Sequence, residues 1–209
     1  MSPLQENLNA LSMFGPALSV IYRYFVASSN PIPPLLSPLW LTSPPLLFIL
    51  STAVHAPFSV TYHRRQALGL DPSRLDNRYR ILDQSFIHFC CLIYSYALSG
   101  SVAYLLALAP LNLYAVIRLW GGGKRSCGKP VQVKLNVCIQ AYLLPILLRG
   151  DTENYCRAML YGFACFALFM ANRKLLGWGH TIFHLVATPY SLVLLEAAEK
   201  VEGSELWRR

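Results

Sequence analysis

The sequence predicts an all-α fold, an integral membrane bundle whose candidate helices are seven apolar runs. Three observations carry that expectation. Of 209 residues, 55% are hydrophobic and only 13% charged, whereas soluble domains run near a quarter charged. The apolar residues gather into seven runs separated by polar linkers. Those runs are long and continuous, without the alternation of barrel strands, so helices must satisfy the backbone in lipid. The same composition excludes a disordered chain. The 18 Lys and Arg against 10 Asp and Glu lie between apolar runs instead of on one polar face, which argues against nucleic-acid binding.

The runs follow in order, with soft boundaries, and the whole of 1–209 reads as one transmembrane domain. The first covers about 8–22; no basic n-region precedes it and no small-residue cleavage site follows it, so it is expected to remain as a span. The second covers about 35–62 and is punctuated by Pro31, Pro33, Pro34, Pro38, Pro44 and Pro45. Its straight part is expected from near Pro44, with proline tolerated in the first turn, and Pro57 is expected to kink it just after His55. The third follows Asp83 to near Ser99, the fourth covers 101–117, the fifth 135–148, the sixth 158–171 and the seventh 175–195. Runs two, four and seven approach the roughly 20 residues a bilayer requires, so hydropathy alone gives five to seven spans.

Residues 63–80 read as a basic loop, Gly121 to Lys129 as a polar linker with a flexible turn at Trp120-Gly-Gly-Gly-Lys-Arg, and 196–209 is expected to be a short polar tail, a solvated helix end. With seven spans, twelve of the Lys and Arg fall on one side, among them Arg64, Arg65, Arg78 and Arg118. The positive-inside rule makes that side cytosolic, together with the N-terminus, and puts the C-terminus opposite. The membrane itself is not named by the sequence. Most of the six cysteines fall inside apolar runs and read as small buried residues.

Ionisable residues inside such runs are costly and mark function by default. His180-Thr-Ile-Phe-His184 puts two imidazoles on one helix face, a turn apart. That spacing suits a shared metal ion, and equally two core histidines bonded to neighbouring helices. Ser51-x-x-x-His55 repeats the spacing with a hydroxyl and an imidazole. Asp83 opens the third run, where a helix-capping aspartate is also common. The orientation brings all five groups to similar depth on one side. The expectation is therefore a zinc site near the cytosolic ends of helices 2, 3 and 7, with His55, His180 and His184 as ligands. Asp83 would orient a water or take its proton, and Ser51 would bond that water or a developing oxyanion. His63, beside Arg64 and Arg65, reads as solvated at the membrane edge, and His88 as a core histidine.

These motifs resemble the superfamily of alkaline ceramidases, adiponectin and progestin receptors and hemolysin III proteins. Glu6-Asn-Leu-Asn9-Ala-Leu-Ser12, Ser51 to His55, Leu82-Asp83-Gln-Ser and His180 to His184 occur in the family's order. The resemblance implies seven helices around one Zn2+ and hydrolysis of a lipid amide as its best-understood chemistry. Met13 stands where the receptor and hemolysin groups commonly carry histidine, and the acidic cluster that ceramidases place before the first span is missing. The leading expectation is a zinc-dependent hydrolase of a lipid amide or ester. Its partners are membrane lipid, as acyl-chain substrate or ligand, and the bilayer; protein partners are not indicated. The alternatives are a receptor-like signalling protein with the same zinc core and a non-enzymatic scaffold or accessory subunit.

Overall fold

The computed structural model describes residues 1–34, 36–71, 77–121 and 129–202, with side chains described outside 129–136 and 202. The glycine-rich turn, part of the basic loop and the last seven residues lie outside the described residues. All regular structure among the described residues is helical.

The chain opens with α1 (Pro3–Ser12), held at its start by a capping box between Ser2 and Gln5. Helix α2 (Phe14–Ile21) continues it into a π-helical turn at Tyr22–Ala27. Pro16 lacks the N–H that would close the turn across this joint. A proline-rich stretch and the short α3 (Leu39–Thr42) lead to α4 (Pro44–Ala67), with Pro44 and Pro45 in its first turn. Then follow α5 (Arg78–Ser99), α6 (Val102–Gly121), α7 (Lys129–Leu148), α8 (Thr152–Ala171) and α9 (Trp178–Glu202).

Among the described residues, five helical segments are long and apolar enough to cross a membrane: Pro3–Ala27, α4, α5, α6 and Trp178–Val201. In α7 the apolar part is the shorter Val137–Leu148.

Helix α9 is the hub. It packs against α1, α2, α4, α5 and α8, and Val193, Leu194, Leu195, Ala197, Ala198 and Val201 are buried. The segment from Glu196 therefore continues the helix through Glu202 instead of fraying into solvent. Its acids are used: Glu196 accepts from Arg157 at 2.8 Å, and Glu199 pairs with Arg23 at 3.7 Å. Arg149 adds a staple at the same end, donating to the carbonyls of Leu98 and Ala197. Beside it Lys200 donates to Asp151 at 2.8 Å. Burial would raise the Asp151 carboxyl, but hydrogen bonds from Lys200 and Asn154 win and hold it below its ordinary value.

At the opposite end α9 begins in contact with α8. Asn172 caps it, its Oδ1 accepting from the His180 backbone N–H at 2.9 Å. Glycine at 179 makes this approach possible. A Cβ there would lie 2.5 Å from the Leu168 carbonyl oxygen and 2.7 Å from Asn172 Cα.

Two departures from the sequence expectations bear on the site. Helix α4 runs unbroken through Pro57 to Ala67, so His63, Arg64 and Arg65 are helical residues, not loop. His63 is 2% exposed, which overturns its reading as a solvated edge residue. His88 behaves as expected: it is buried, with Nδ1 3.3 Å from Asn112 Oδ1.

Gly179→Val should force α8 and α9 apart, costing on the order of 1–3 kcal/mol of overpacking. Gly162→Ala, whose Cβ would meet Tyr190 at an ordinary 3.8 Å, should be neutral or stabilising. Thermal unfolding in detergent compares them; equal melting temperatures would contradict the packing described.

Candidate metal centre

Two helices supply one cluster, and α1 braces it. His63 comes from the last part of α4, and His180 and His184 from the first turns of α9. One ligand atom from each lies within 4.8 Å of the other two. His63 Nε2 and His180 Nε2 face each other at 3.3 Å. Two nitrogens at about 2.0–2.1 Å from one tetrahedral zinc would stand about 3.3 Å apart.

The far sides of the rings are engaged by groups that set the tautomer. His63 Nδ1–H donates to Glu6 Oε2 at 2.8 Å, and both side chains are 3% exposed. His184 Nδ1–H donates to the Asn9 carbonyl at 3.2 Å, with the Ser12 hydroxyl 3.0 Å from the same nitrogen. Both arrangements leave Nε2 as the lone-pair atom. A carboxylate or backbone carbonyl on the remote nitrogen is the usual support of a metal-bound histidine. Asn9 also accepts from Thr181 at 2.6 Å through its side-chain oxygen. Glu6 and Asn9, three residues apart on α1, thus brace both flanks of the cluster.

The donor set fits a borderline metal of the zinc type. Three neutral imidazoles carry no charge of their own, and three protein ligands leave a fourth position open. Residues 63, 180 and 184 would hold the ion.

His55 and Ser51 do not join this cluster. His55 lies eight residues before His63, about 12 Å along the helix. Its Nε2–H donates to Asp83 Oδ1 at 3.1 Å. Ser51 turns its hydroxyl to the Phe48 carbonyl at 3.1 Å and is buried there. The reason is local: a buried hydroxyl on a helix finds the carbonyl of the preceding turn. Asp83 does approach the site. Its carboxylate lies within electrostatic range of His63 and His184, and Ser59 faces it.

A signal for His63 stood in the sequence. Ser59-x-x-x-His63 is a second copy of the Ser51-x-x-x-His55 pattern. Eight residues turn a helix by about 80° beyond two full turns, so the two histidines take different neighbours. One reaches α1 and α9, the other Asp83 on α5.

Exposure marks the open flank. His55 and Asp83 keep 18% and 12% of their side chains exposed, against 3% for His63 and Glu6. Phe58 and Phe86 stack between α4 and α5 at 3.6 Å. Helix α1 covers the cluster on the side of Glu6 and Asn9. The five described cysteines are unpaired and take no part in the cluster.

Comparison with known protein families, curated proteins and solved structures finds no match. The geometry therefore stands as the basis for function.

Glu6→Gln should leave the three imidazoles in place but weaken the support of His63. Zinc affinity, read by competition with a chelator, is expected to fall about 10–100-fold. Unchanged affinity would remove Glu6 from the site.

Proposed function

We propose that the chain is a multi-pass membrane hydrolase that cleaves a lipid amide or ester at a zinc centre held by His63, His180 and His184. The single observation that carries this reading is the composition of the cluster. Three imidazoles with lone pairs converging, a carboxylate behind one of them, and a second carboxylate on the open flank are the parts such a reaction needs. The motif order resembling the ceramidase and receptor superfamily supports it, with Ser59 and His63 replacing Ser51 and His55 in the second motif. Seven spans with the N-terminus cytosolic remain the topology we favour. It puts the cluster near the cytosolic interface, where the amide or ester linkage of a lipid would lie while its acyl chain stays among apolar helices.

A zinc ion bound there supplies a Lewis acid for the scissile carbonyl and acidifies a water. The chain's own groups do the rest. Asp83 would accept the water's proton and deliver it to the leaving group. His55 holds that carboxylate through Oδ1, and the Ser59 hydroxyl bonds it as well, so the two would fix its orientation. Ser59, facing the same carboxylate, can hydrogen-bond the reacting oxygen. Glu6 and the Asn9 carbonyl keep His63 and His184 in the binding tautomer.

The test is release of fatty acid from a fluorescent N-acyl amide lipid by zinc-loaded protein in vesicles. Asp83→Asn should lower kcat by about 10²–10⁴-fold. His55→Gln should lower kcat about tenfold, leave KM unchanged and shift the pH profile. Turnover unaffected by Asp83→Asn, or no turnover of amide or ester lipids by the zinc-loaded protein, would refute the reading.

A further inference from the structure

The helices that back the metal cluster also form a groove on their outer side. Glu6 and His63 meet at 2.8 Å, which puts their sequence neighbours Asn7 and Arg64 at one level. Inward stand Glu6, Asn9, Ser59 and His63. Outward, a cleft of about 360 Å³ is lined by Asn7, Ala10, Leu11, Phe14, Val60 and Arg64. That volume lies within the range of about 300–1,000 Å³ typical of small-molecule sites. Because α1 and α4 run antiparallel there, the polar lining falls at one end, with Asn7 and Arg64. The other end, toward Phe14 and Val60, is apolar.

The two adjacent arginines of α4 are used differently. Arg65 forks onto Asp71 at 3.1 and 3.2 Å and lies over the Tyr79 ring at 4.1 Å. Its charge is spent inside the protein. Arg64 is exposed, and among the described residues no acid lies within ion-pair distance of it. An exposed guanidinium at the mouth of an apolar cleft is complementary to an anion that carries a hydrocarbon chain. The small Ala10 floors the groove.

We propose that this groove binds one anionic phospholipid of the bilayer. Its phosphate is held by Arg64, which can offer two parallel N–H donors, and by the Asn7 amide. An acyl chain lies along Leu11, Phe14 and Val60. On the orientation favoured above, the headgroup faces the cytosolic leaflet, where anionic lipids concentrate. The site clamps α1 to α4 from outside while Glu6 and His63 join them from inside, so occupancy would steady the metal cluster. Binding and hydrolysis are separable, since neither Arg64 nor Asn7 belongs to the cluster.

The experiment uses full-length protein in bicelles of phosphatidylcholine with or without 20% phosphatidylglycerol, about one lipid in five. Thermal unfolding and native mass spectrometry read the outcome. Wild type should melt higher with phosphatidylglycerol and retain one such lipid per chain. Arg64→Gln should lose the rise and at least tenfold of the retained lipid. Arg118→Gln, which removes an exposed cation from the last turn of α6, should behave as wild type. An equal rise in Arg64→Gln, or equal losses in both variants, would overturn the site and leave only general attraction to a charged surface. Equal stabilisation by water-soluble glycerophosphate would overturn the role given to the groove. A failure of hydrolysis leaves all these readouts intact.

Discussion

The structure depends on the contact between Glu6, His63 and His180. A buried carboxylate and a buried imidazole meet a half-buried one, and each needs a partner to offset its desolvation. Glu6 takes the Nδ1 proton of His63, which commits Nε2 of that ring to a lone pair. That lone pair points at another nitrogen 3.3 Å away. Two nitrogens at that separation need something positive between them, a proton or a cation. His184, close by with its own Nδ1–H committed to the Asn9 carbonyl, makes the pair a three-point cluster that could hold a metal ion.

The rest of the fold serves this meeting. Helix α9 must bring two histidines to the centre while its backbone stays close to α8, and Gly179 allows that approach. Helix α1 must present Glu6 and Asn9 on one face, and the capping box at Ser2 sets its first turn. Gly15 lets the same rod cross α9 closely; a Cβ there would lie 2.6 Å from the Thr188 hydroxyl. The far end is fixed independently by Arg149, Lys200 and Arg157 on carbonyls and acids. Convergence at one end and ionic stapling at the other give a bundle whose polar groups sit at its two ends, with Tyr94, Tyr142, Tyr190 and Thr52 bonded among themselves between.

The sequence reveals the helical, membrane-embedded class because composition and run length state it directly. It also reveals the pair at 180 and 184, since i and i+4 spacing is a local property of a helix. The third member depends on how far α4 extends and how it is rotated. Arg64 and Arg65 look like the end of a span, yet they stand inside the last turns because one snorkels outward and the other folds onto Asp71. A span ending at Tyr62 puts His55 near its cytosolic end and His63 outside it, whereas α4 continues to Ala67. Asp83 lies beside both copies, so its place near the cluster survives the change. Glu6, placed first only by resemblance, gains its role from the contact with His63, which is 57 residues distant and outside the reach of periodicity. The end of α9 misled for a related reason: Glu196, Glu199 and Lys200 look solvated, but each has a partner on another element.

The most direct measurement is the zinc content of detergent-purified, chelator-free protein for wild type, His63→Ala and His55→Ala, with folding checked by circular dichroism. A three-histidine centre at 63, 180 and 184 predicts about one zinc per chain in wild type and His55→Ala, and loss of it in folded His63→Ala. Zinc retained in His63→Ala but lost in His55→Ala, or no zinc in any of the three, would contradict it.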